Sequence, residues 1–152
     1  HMFCRRTEKE EVFLMETIEM KEKILDYIDK EDIEKFLHTS LAKRMQKAYK
    51  KGRLKREQPF VLEYEAKRIH SSFPEGETIL VQGIIDAYFE EDDGLVLLDY
   101  KTDRGKSKEE LAKFYGVQLD YYAEAMERLT GKRVKEKYIY SFELHKVILL
   151  SC

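Results

Sequence analysis

The chain has 152 residues, of which 43% are hydrophobic and 12% aromatic, and its formal net charge is −2. This length and composition predict one globular domain with a single core and argue against a disordered chain. No apolar run approaches the roughly 18 residues that a membrane-spanning helix needs, so we expect a cytoplasmic protein without membrane contact. The charge is not typical of a purely basic nucleic-acid-binding module.

The two ends of the sequence indicate how the chain is organised, but they contain no candidate catalytic or metal-binding residues. The first two residues, His-Met, have the form of a cloning remnant, so we expect an excised part of a larger protein. Cys4 and Cys152 lie at opposite ends without a CxxC spacing, which predicts reduced thiols and gives no zinc or cluster signal. We therefore expect a helical segment over residues 3–53 packed on a core over residues 54–152.

Three helices are predicted in the first third of the chain, over residues 8–28, 30–37 and 41–51. The first has an amphipathic pattern. The third follows the capping pair Thr39-Ser40 and ends at Gly52. A run of eight lysines and arginines without an acid extends over residues 43–56, and it is either a solvated helix face or a surface that contacts phosphates.

Five strands are predicted after these helices, over residues 60–66, 79–89, 95–100, 134–142 and 147–150. Pro59 precedes the first and marks either its beginning or an edge strand. One long helix, residues 108–129, separates the third and fourth strands, with Ser107 as its cap. Its predicted apolar stripe consists of Leu111, Tyr115, Gln118, Tyr122, Ala125 and Leu129. The amide on this stripe is either a boundary residue or a group that supports a site.

Residues 79–103, ILVQGIIDAYFEEDDGLVLLDYKTD, predict a β-hairpin. Each strand has a carboxylate where a core residue is expected, Asp86 and Asp99, and Lys101 shares the face of Asp99. A two-residue turn at Asp92-Asp93 places Asp86 opposite Asp99, whereas a turn one residue later pairs Asp86 with Lys101. Both registers put the three groups on one face, and a three-residue loop would not.

Two carboxylates and an ammonium on a partly buried face are costly without compensation. A divalent cation between the carboxylates would offset that cost, and Mg²⁺ prefers such oxygen ligands. Lys101 could then stabilise charge on an attacking hydroxide or on a phosphate. The alternative is a plain salt bridge between Lys101 and one aspartate on a solvated strand face. The pattern alone leaves both interpretations open.

Three ordered motifs resemble the RecB-like nuclease domains of the PD-(D/E)xK superfamily, and they are GIID at 83–86, LLDYKTD at 97–103 and QLDYYAEA at 118–125. Within that superfamily they look like the C-terminal nuclease domain of AddA-type (RexA-type) bacterial helicase-nucleases. The segment REQPF at 56–60 resembles the strand that precedes GxxD in those proteins. The resemblance covers roughly residues 33–145 and implies a restriction-endonuclease-like α/β fold, with a mixed sheet of about five strands flanked by helices.

The resemblance also implies a function, a Mg²⁺-dependent DNA exonuclease, with Mn²⁺ as an alternative ion, that processes double-strand-break ends for recombinational repair. Asp86, Asp99 and the backbone carbonyl of Tyr100 would bind the metal, and Lys101 would position or activate the water. Gln118 and Tyr122 would support the site or contact DNA. DNA contacts are also expected from Lys43, Arg44, Lys47 and Arg104. The expected partners are DNA with a free end, a single strand delivered by a helicase, the rest of the same polypeptide and an AddB-like (RexB-like) subunit.

The sequence departs from the family in two ways. The family has a metal-binding His on a helix upstream of these motifs, and residues 1–37 contain no such motif, so we expect the fragment to begin after it and to have reduced or no activity alone. Relatives with an iron-sulfur cluster use four cysteines, so no cluster is expected here. Two other functions stay open: a catalytically silent domain that binds DNA or docks a partner, and a structure-selective endonuclease on the same fold.

Overall fold

The computed structural model describes residues 29–150, which form four helices and five strands. The helices are α1 (Lys30–Leu37), α2 (Ser40–Lys50), α3 (Ala66–Ile69) and α4 (Lys108–Thr130). The strands are β1 (Leu54–Glu65), β2 (Thr78–Glu91), β3 (Gly94–Lys101), β4 (Val134–Ser141) and β5 (Lys146–Leu150). The predicted helix over residues 8–28 and both cysteines lie outside the described residues. None of the four helices is long and apolar enough to cross a membrane.

The strands form one sheet in the order β1-β2-β3-β4-β5. All neighbouring pairs are antiparallel except β3 and β4, which are parallel. A parallel pair needs a crossover connection, and α4 provides it. The predicted α/β fold, a mixed sheet of about five strands flanked by helices, is confirmed.

The sheet lies between two helical layers. On one face α1 and α2 pack against a core that includes Phe36, Met45, Phe89 and Tyr140. On the other face, α4 packs against β1, β2 and β3 through its C-terminal half and against β4 and β5 through its N-terminal half. β3 lies in the middle and is buried on both faces, which explains its almost unbroken apolar sequence.

Local capping fixes the helices that surround the site. The Thr39 hydroxyl accepts a hydrogen bond from the Ala42 N–H at 3.1 Å, so α2 begins one residue before its predicted start. Ser107 and Glu110 form a reciprocal capping box at the start of α4. Gly131 ends α4 in the left-handed region, with φ of 70°.

Three predictions about these elements are wrong. β1 begins at Leu54 instead of after Pro59, because a proline on an edge strand needs no partner for its missing N–H. Ala66 was predicted as the last residue of a strand, but it begins the single-turn helix α3. Leu129 is 54% exposed, and the buried residues of α4 include Leu119 and Met126 instead.

β1 and β2 both change the face that their side chains present partway along their length. In β1, Leu54 packs in the core under α1 and α2, whereas Phe60, an even number of residues later, packs under α4. In β2, Ile85 packs under α4 and Ala87 packs on the opposite face. Regular alternation would keep each pair on one face, so both strands are irregular between these positions.

The irregularity is centred on Glu57 and Asp86. The ladder pairs Arg56 with Ala87 and Gln58 with Ile85, and its register passes over Glu57 and Asp86, which lie between these pairs. Glu57 has φ of 48°, in the left-handed region that residues other than glycine rarely adopt. Such irregularities redirect side chains, and this one redirects a carboxylate.

Candidate active site

The hairpin register brings the two predicted carboxylates to one level of the sheet. Glu91 pairs with Gly94, so Asp92-Asp93 is the two-residue turn, and the pairing continues to Ala87 and Leu98. The next position in this register sets Asp86 opposite Asp99. The first of the two predicted registers is therefore confirmed, and the one with a later turn is wrong. Beyond the last pair, the Tyr100 N–H donates to Asp86 Oδ2 at 2.9 Å.

Four of the predicted catalytic residues lie in one connected series. The Lys101 Nζ is 2.6 Å from Asp99 Oδ2 and donates to Gln118 Oε1 at 3.3 Å. The Gln118 amide in turn donates to the Tyr122 hydroxyl at 3.1 Å. β3 supplies the first two residues and one face of α4 supplies the other two, four residues apart. The packing of α4 on the sheet thus sets the position of Lys101.

Tyr115 is a residue of this site that the sequence interpretation assigned only to the core. Its ring centre lies 3.9 Å from Lys101 Nζ, a cation–π contact, and its hydroxyl donates to Asp103 at 2.9 Å. Burial and the bond to Asp103 raise the pKa of Tyr115 to about 12, so the ring stays neutral beside the lysine. The available signal was its spacing, three residues before Gln118 on the same helix face.

The hydroxyl of Tyr122 also stays protonated. Burial raises the pKa of Tyr122, and the negative charges of Asp99 and Asp86 raise it further. A neutral phenol can accept the Gln118 amide while its own proton faces the carboxylates or a substrate. The site therefore presents one cation and neutral hydrogen-bonding groups around two buried acids.

The buried acids fit an oxygen-preferring divalent ion. Asp86 and Asp99 are each only 4% exposed, and Asp99 Oδ2 lies 2.6 Å from the Lys101 ammonium. Two buried carboxylates beside a single ammonium leave one negative charge uncompensated, which is costly unless a further cation binds there. Among residues 29–150, no group of three or more His, Cys, Asp or Glu side chains could hold a metal ion. The side-chain ligands available at this point are therefore the two aspartates.

The alternative interpretation, a plain salt bridge on a solvated face, fits the structure less well. The ion pair between Lys101 and Asp99 exists, but the two side chains are only 14% and 6% exposed. An ion pair buried to this extent rarely adds net stability over an apolar pair. A structural role alone therefore gives no reason for two acids and a lysine at this level of the sheet.

Gly83, the glycine of the GIID motif, is required by close packing under the site. A Cβ at this position would lie 2.9 Å from Phe60 Cε1 and 3.2 Å from Tyr122 Cε1. The two rings also contact each other edge to face, 5.4 Å apart between centres. A side chain at Gly83 would therefore displace the tyrosine that Gln118 contacts.

Comparison with known proteins agrees with this geometry. A family model described as the PD-(D/E)XK nuclease superfamily matches residues 5–148. The chain belongs to that superfamily. The triplet Asp99-Tyr100-Lys101 fits the letters (D/E)XK. The family resemblance predicted from three ordered motifs is confirmed.

Several relatives within the PD-(D/E)XK superfamily are named as the A subunits of ATP-dependent helicase/nucleases. The protein from Clostridium novyi (strain NT) is 49% identical over 138 residues, which cover 84% of this chain and 11% of that protein. The one from Thermoanaerobacter sp. (strain X514) is 42% identical over 161 residues, covering 93% and 13%. The one from Clostridium botulinum (strain Loch Maree / Type A3) is 44% identical over 118 residues, covering 75% and 9%. The chain spans about a tenth of the length of these relatives.

In the basic run at residues 43–56 of this PD-(D/E)XK domain, some cations form ion pairs and others are exposed. The Arg44 guanidinium donates to both carboxylate oxygens of Glu91, at 2.8 and 2.7 Å, and to Glu136 at 2.8 Å. A phosphate at Arg44 would therefore have to displace two carboxylates. Lys43 and Lys47 are exposed on the same helix.

Arg104, the remaining predicted DNA contact, is exposed in the loop between β3 and α4. This loop follows directly after Lys101, so Arg104 lies at the site's end of the sheet. The acidic turn at Asp92-Asp93 lies at the other end of β3, about 20 Å away at the usual rise of a strand. Of the four predicted DNA contacts, Arg104 therefore lies nearest to the site along the chain.

Proposed function

We propose that this chain is a metal-dependent deoxyribonuclease domain that hydrolyses phosphodiester bonds of single-stranded DNA. The observation that carries the proposal is the buried pair of carboxylates, Asp86 and Asp99, with the Lys101 ammonium 2.6 Å from Asp99 Oδ2. Membership in a nuclease superfamily supports the reaction class.

Each side chain of the site has a role in this proposal. Mg²⁺, with Mn²⁺ as an alternative, would be held by Asp86, Asp99 and the Tyr100 carbonyl, and would supply Lewis-acid polarisation of the phosphate and a lowered pKa for water. Lys101 stabilises the negative charge that develops on the phosphate or the attacking oxygen. Gln118 and the Tyr115 ring hold the ammonium in place. Tyr122 orients Gln118 through the 3.1 Å hydrogen bond.

The relatives' name supports a wider role for the protein to which this chain belongs. Their helicase/nuclease designation fits a single strand that is delivered to the site by a helicase part of the same polypeptide. We infer that the substrate is DNA with a free end, that processing of double-strand-break ends for recombinational repair takes place in the cytoplasm, and that the partner is an AddB-like (RexB-like) subunit.

The test is cleavage of end-labelled single-stranded DNA by this chain with Mg²⁺ or Mn²⁺. The variants Asp99→Ala and Lys101→Ala should each lose at least about a hundredfold in rate, which is the usual loss for a group that stabilises a transition state. Asp92→Ala and Lys132→Ala are the matched controls, because each removes the same charge from an exposed position at the opposite end of the sheet. Both controls should cut at the wild-type rate.

Two results would count against the proposal. Cleavage retained by Asp99→Ala would show that the site lies elsewhere. No cleavage by the wild-type chain with either metal, together with metal-independent DNA binding that falls steeply with salt, would favour the catalytically silent binding domain.

A further inference from the structure

Phe114 is a large apolar side chain left exposed beside the site. It lies on α4, four residues before Gln118, so the two side chains are neighbours on one helix face, about 6 Å apart along the axis. The Phe114 side chain is 67% exposed, whereas the core residues of the same helix, Leu111 and Leu119, are almost fully buried. Packing of the described residues therefore gives no reason for a phenylalanine at this position.

Contacts connect the Phe114 ring to the catalytic lysine. The ring centre lies 4.9 Å from that of Tyr115, edge to face, and the Tyr115 ring lies 3.9 Å from Lys101 Nζ. On its other flank, Lys106 Nζ lies 5.3 Å from the Phe114 ring centre and pairs with Asp103 at 2.7 Å. The Phe114 ring thus contacts Tyr115, and Tyr115 in turn contacts Lys101.

An open pocket surrounds this ring. Its volume is about 460 Å³, and it is lined by Lys106, Glu110, Lys113 and Phe114. The Glu110 carboxylate is engaged by the Ser107 N–H at 2.7 Å, within the capping box of α4. Lys113 is exposed. The pocket therefore combines an aromatic surface with a cation that is free to meet a phosphate.

We propose that Phe114 is a stacking platform for an unpaired nucleobase of the DNA strand next to the scissile phosphate, and that Lys113 contacts the backbone phosphate beside that base. Aromatic platforms next to cations are the usual way in which proteins bind single strands without reading sequence. The inference rests on the proposed function and adds a nucleotide-binding subsite to it. It also predicts that a strand occupies the site in single-stranded form, because a base inside a duplex is already stacked on both faces by its neighbours.

The test measures DNA binding instead of cleavage, so that it is independent of the reaction. The affinity of this chain for a labelled single-stranded oligonucleotide is measured by fluorescence anisotropy in EDTA, for the wild type, Phe114→Ala and Phe114→Trp. Phe114→Ala should weaken binding by about five- to a hundredfold, which is the range for loss of one stacked base. Phe114→Trp should restore it.

Leu129→Ala is the matched control. Leu129 is a 54% exposed apolar residue of the same helix, and it lies about 22 Å from Phe114 along the axis. Its truncation should leave single-strand affinity unchanged. Blunt duplex DNA of the same sequence is the second control, and its binding should be insensitive to Phe114→Ala. In a salt titration, Lys113→Gln should reduce the slope of log affinity against log salt by about one phosphate contact.

The outcomes separate the two proposals. Equal single-strand affinity for the wild type and Phe114→Ala would overturn the stacking subsite, even if the chain cleaves DNA. Equal losses for single-stranded and duplex DNA, or no single-strand binding by the wild type, would also overturn it. Binding that depends on Phe114 in a chain that does not cleave would support the subsite and count against cleavage by this chain on its own.

Discussion

Lys101 owes its position to neighbours on three sides. Its ammonium lies 2.6 Å from Asp99 Oδ2, 3.3 Å from Gln118 Oε1 and 3.9 Å from the Tyr115 ring centre. A free lysine side chain would lose about 2 kcal/mol of rotamer entropy on meeting a substrate. Here the fold has already restricted the side chain, so substrate binding does not carry that cost.

Gly83→Ala is predicted to damage the site through packing alone. The added Cβ meets Phe60 at 2.9 Å and Tyr122 at 3.2 Å, so at least one ring has to move. We expect the free energy of unfolding to fall by about 1–3 kcal/mol, as is usual for overpacking, and DNA cleavage to fall with the displacement of Tyr122. Urea unfolding and the cleavage assay measure the two effects.

Gly116→Ala is the control for Gly83→Ala. Gly116 lies in α4, its φ is not positive, and a Cβ there meets nothing within 4 Å. Alanine should therefore stabilise the helix by up to about 1 kcal/mol. A Gly83→Ala protein as stable and active as the wild type would show that the close approach has no role in the site.

Glu57→Gly is predicted to stabilise the protein. The left-handed conformation of Glu57 costs a residue with a Cβ about 1–2 kcal/mol, and glycine avoids most of that cost at some loss of chain entropy. We expect a gain of up to about 1 kcal/mol in unfolding free energy. Glu63→Gly, an exposed position of the same strand with ordinary backbone, should lose stability instead. Losses of similar size in both variants would mean that Glu57 is not strained.

At the scale of elements, one network of ion pairs joins the β2–β3 turn to α2 and β4. Glu91 on β2 accepts from Arg44 of α2 and from Lys135 of β4. Hydrogen bonds from Arg44 have the largest effect on the pKa of Glu91, and the hydrogen bond from Lys135 acts in the same direction. Together they lower this pKa from 4.5 to about 2. The network therefore fixes α2 on the sheet end opposite to the candidate active site.

Glu91→Gln is predicted to lower stability in a pH-dependent way. Because the pKa of Glu91 is lowered on folding, its stabilising effect is complete above about pH 4.5 and is lost as the pH falls toward 2. Because Glu91 is partly exposed, solvent screening reduces the effect. We expect the free energy of unfolding to fall by about 1–2 kcal/mol at pH 7, and by less at pH 3. Urea unfolding at both values measures this difference.

Asp92→Asn is the control for the network. Asp92 lies next to Glu91 but is 92% exposed, and it pairs with Arg53 at 2.9 Å instead of with Arg44 or Lys135. Arg53 lowers the pKa of Asp92 as well, but solvent screens this exposed pair, so the substitution should change the pH profile of stability less than Glu91→Gln does. A Glu91→Gln loss that is equal at pH 7 and pH 3 would show that packing of the side chain, instead of its charge, is responsible.

Elements with local signals were predictable from the sequence. The start of α4 follows from the capping residue Ser107, and the hairpin with its two possible registers follows from the turn sequence, because each depends on residues close in the chain. The irregularity at Glu57 was not predictable, because alternation is assumed constant along a strand and the break depends on pairing between two strands. Leu129 was assigned to the apolar stripe because helical spacing does not show where the sheet underneath ends.

The same division applies to the candidate site. Asp86, Asp99 and Lys101 stand out because charged residues interrupt apolar strands, and Gln118 because an amide interrupts an apolar stripe. Tyr115 and Phe114 give no such signal, since an aromatic residue on a helix is most simply core. Only the structure distinguishes them, by placing one ring under Lys101 and leaving the other exposed.

At the scale of the whole molecule, the site joins parts of the fold that otherwise pack separately. Asp86 belongs to the irregular part of β2, Asp99 to the central strand and Gln118 to the crossover helix α4. A ligand that contacts both carboxylates would therefore connect two strands of the sheet. Such a ligand binds the folded chain only, so it should raise global stability.

Mg²⁺ is predicted to stabilise the folded chain through Asp86 and Asp99. At a free concentration one hundred times its dissociation constant, the ion would add about 2.7 kcal/mol and raise Tm by several degrees. Thermal unfolding in Mg²⁺ and in EDTA, at matched ionic strength, measures the shift. Asp99→Asn should remove the shift while melting near the wild type in EDTA, because relief of repulsion from Asp86 offsets loss of the Lys101 pair. Asp92→Asn should keep the full shift, and a shift that persists in Asp99→Asn would place the ion elsewhere.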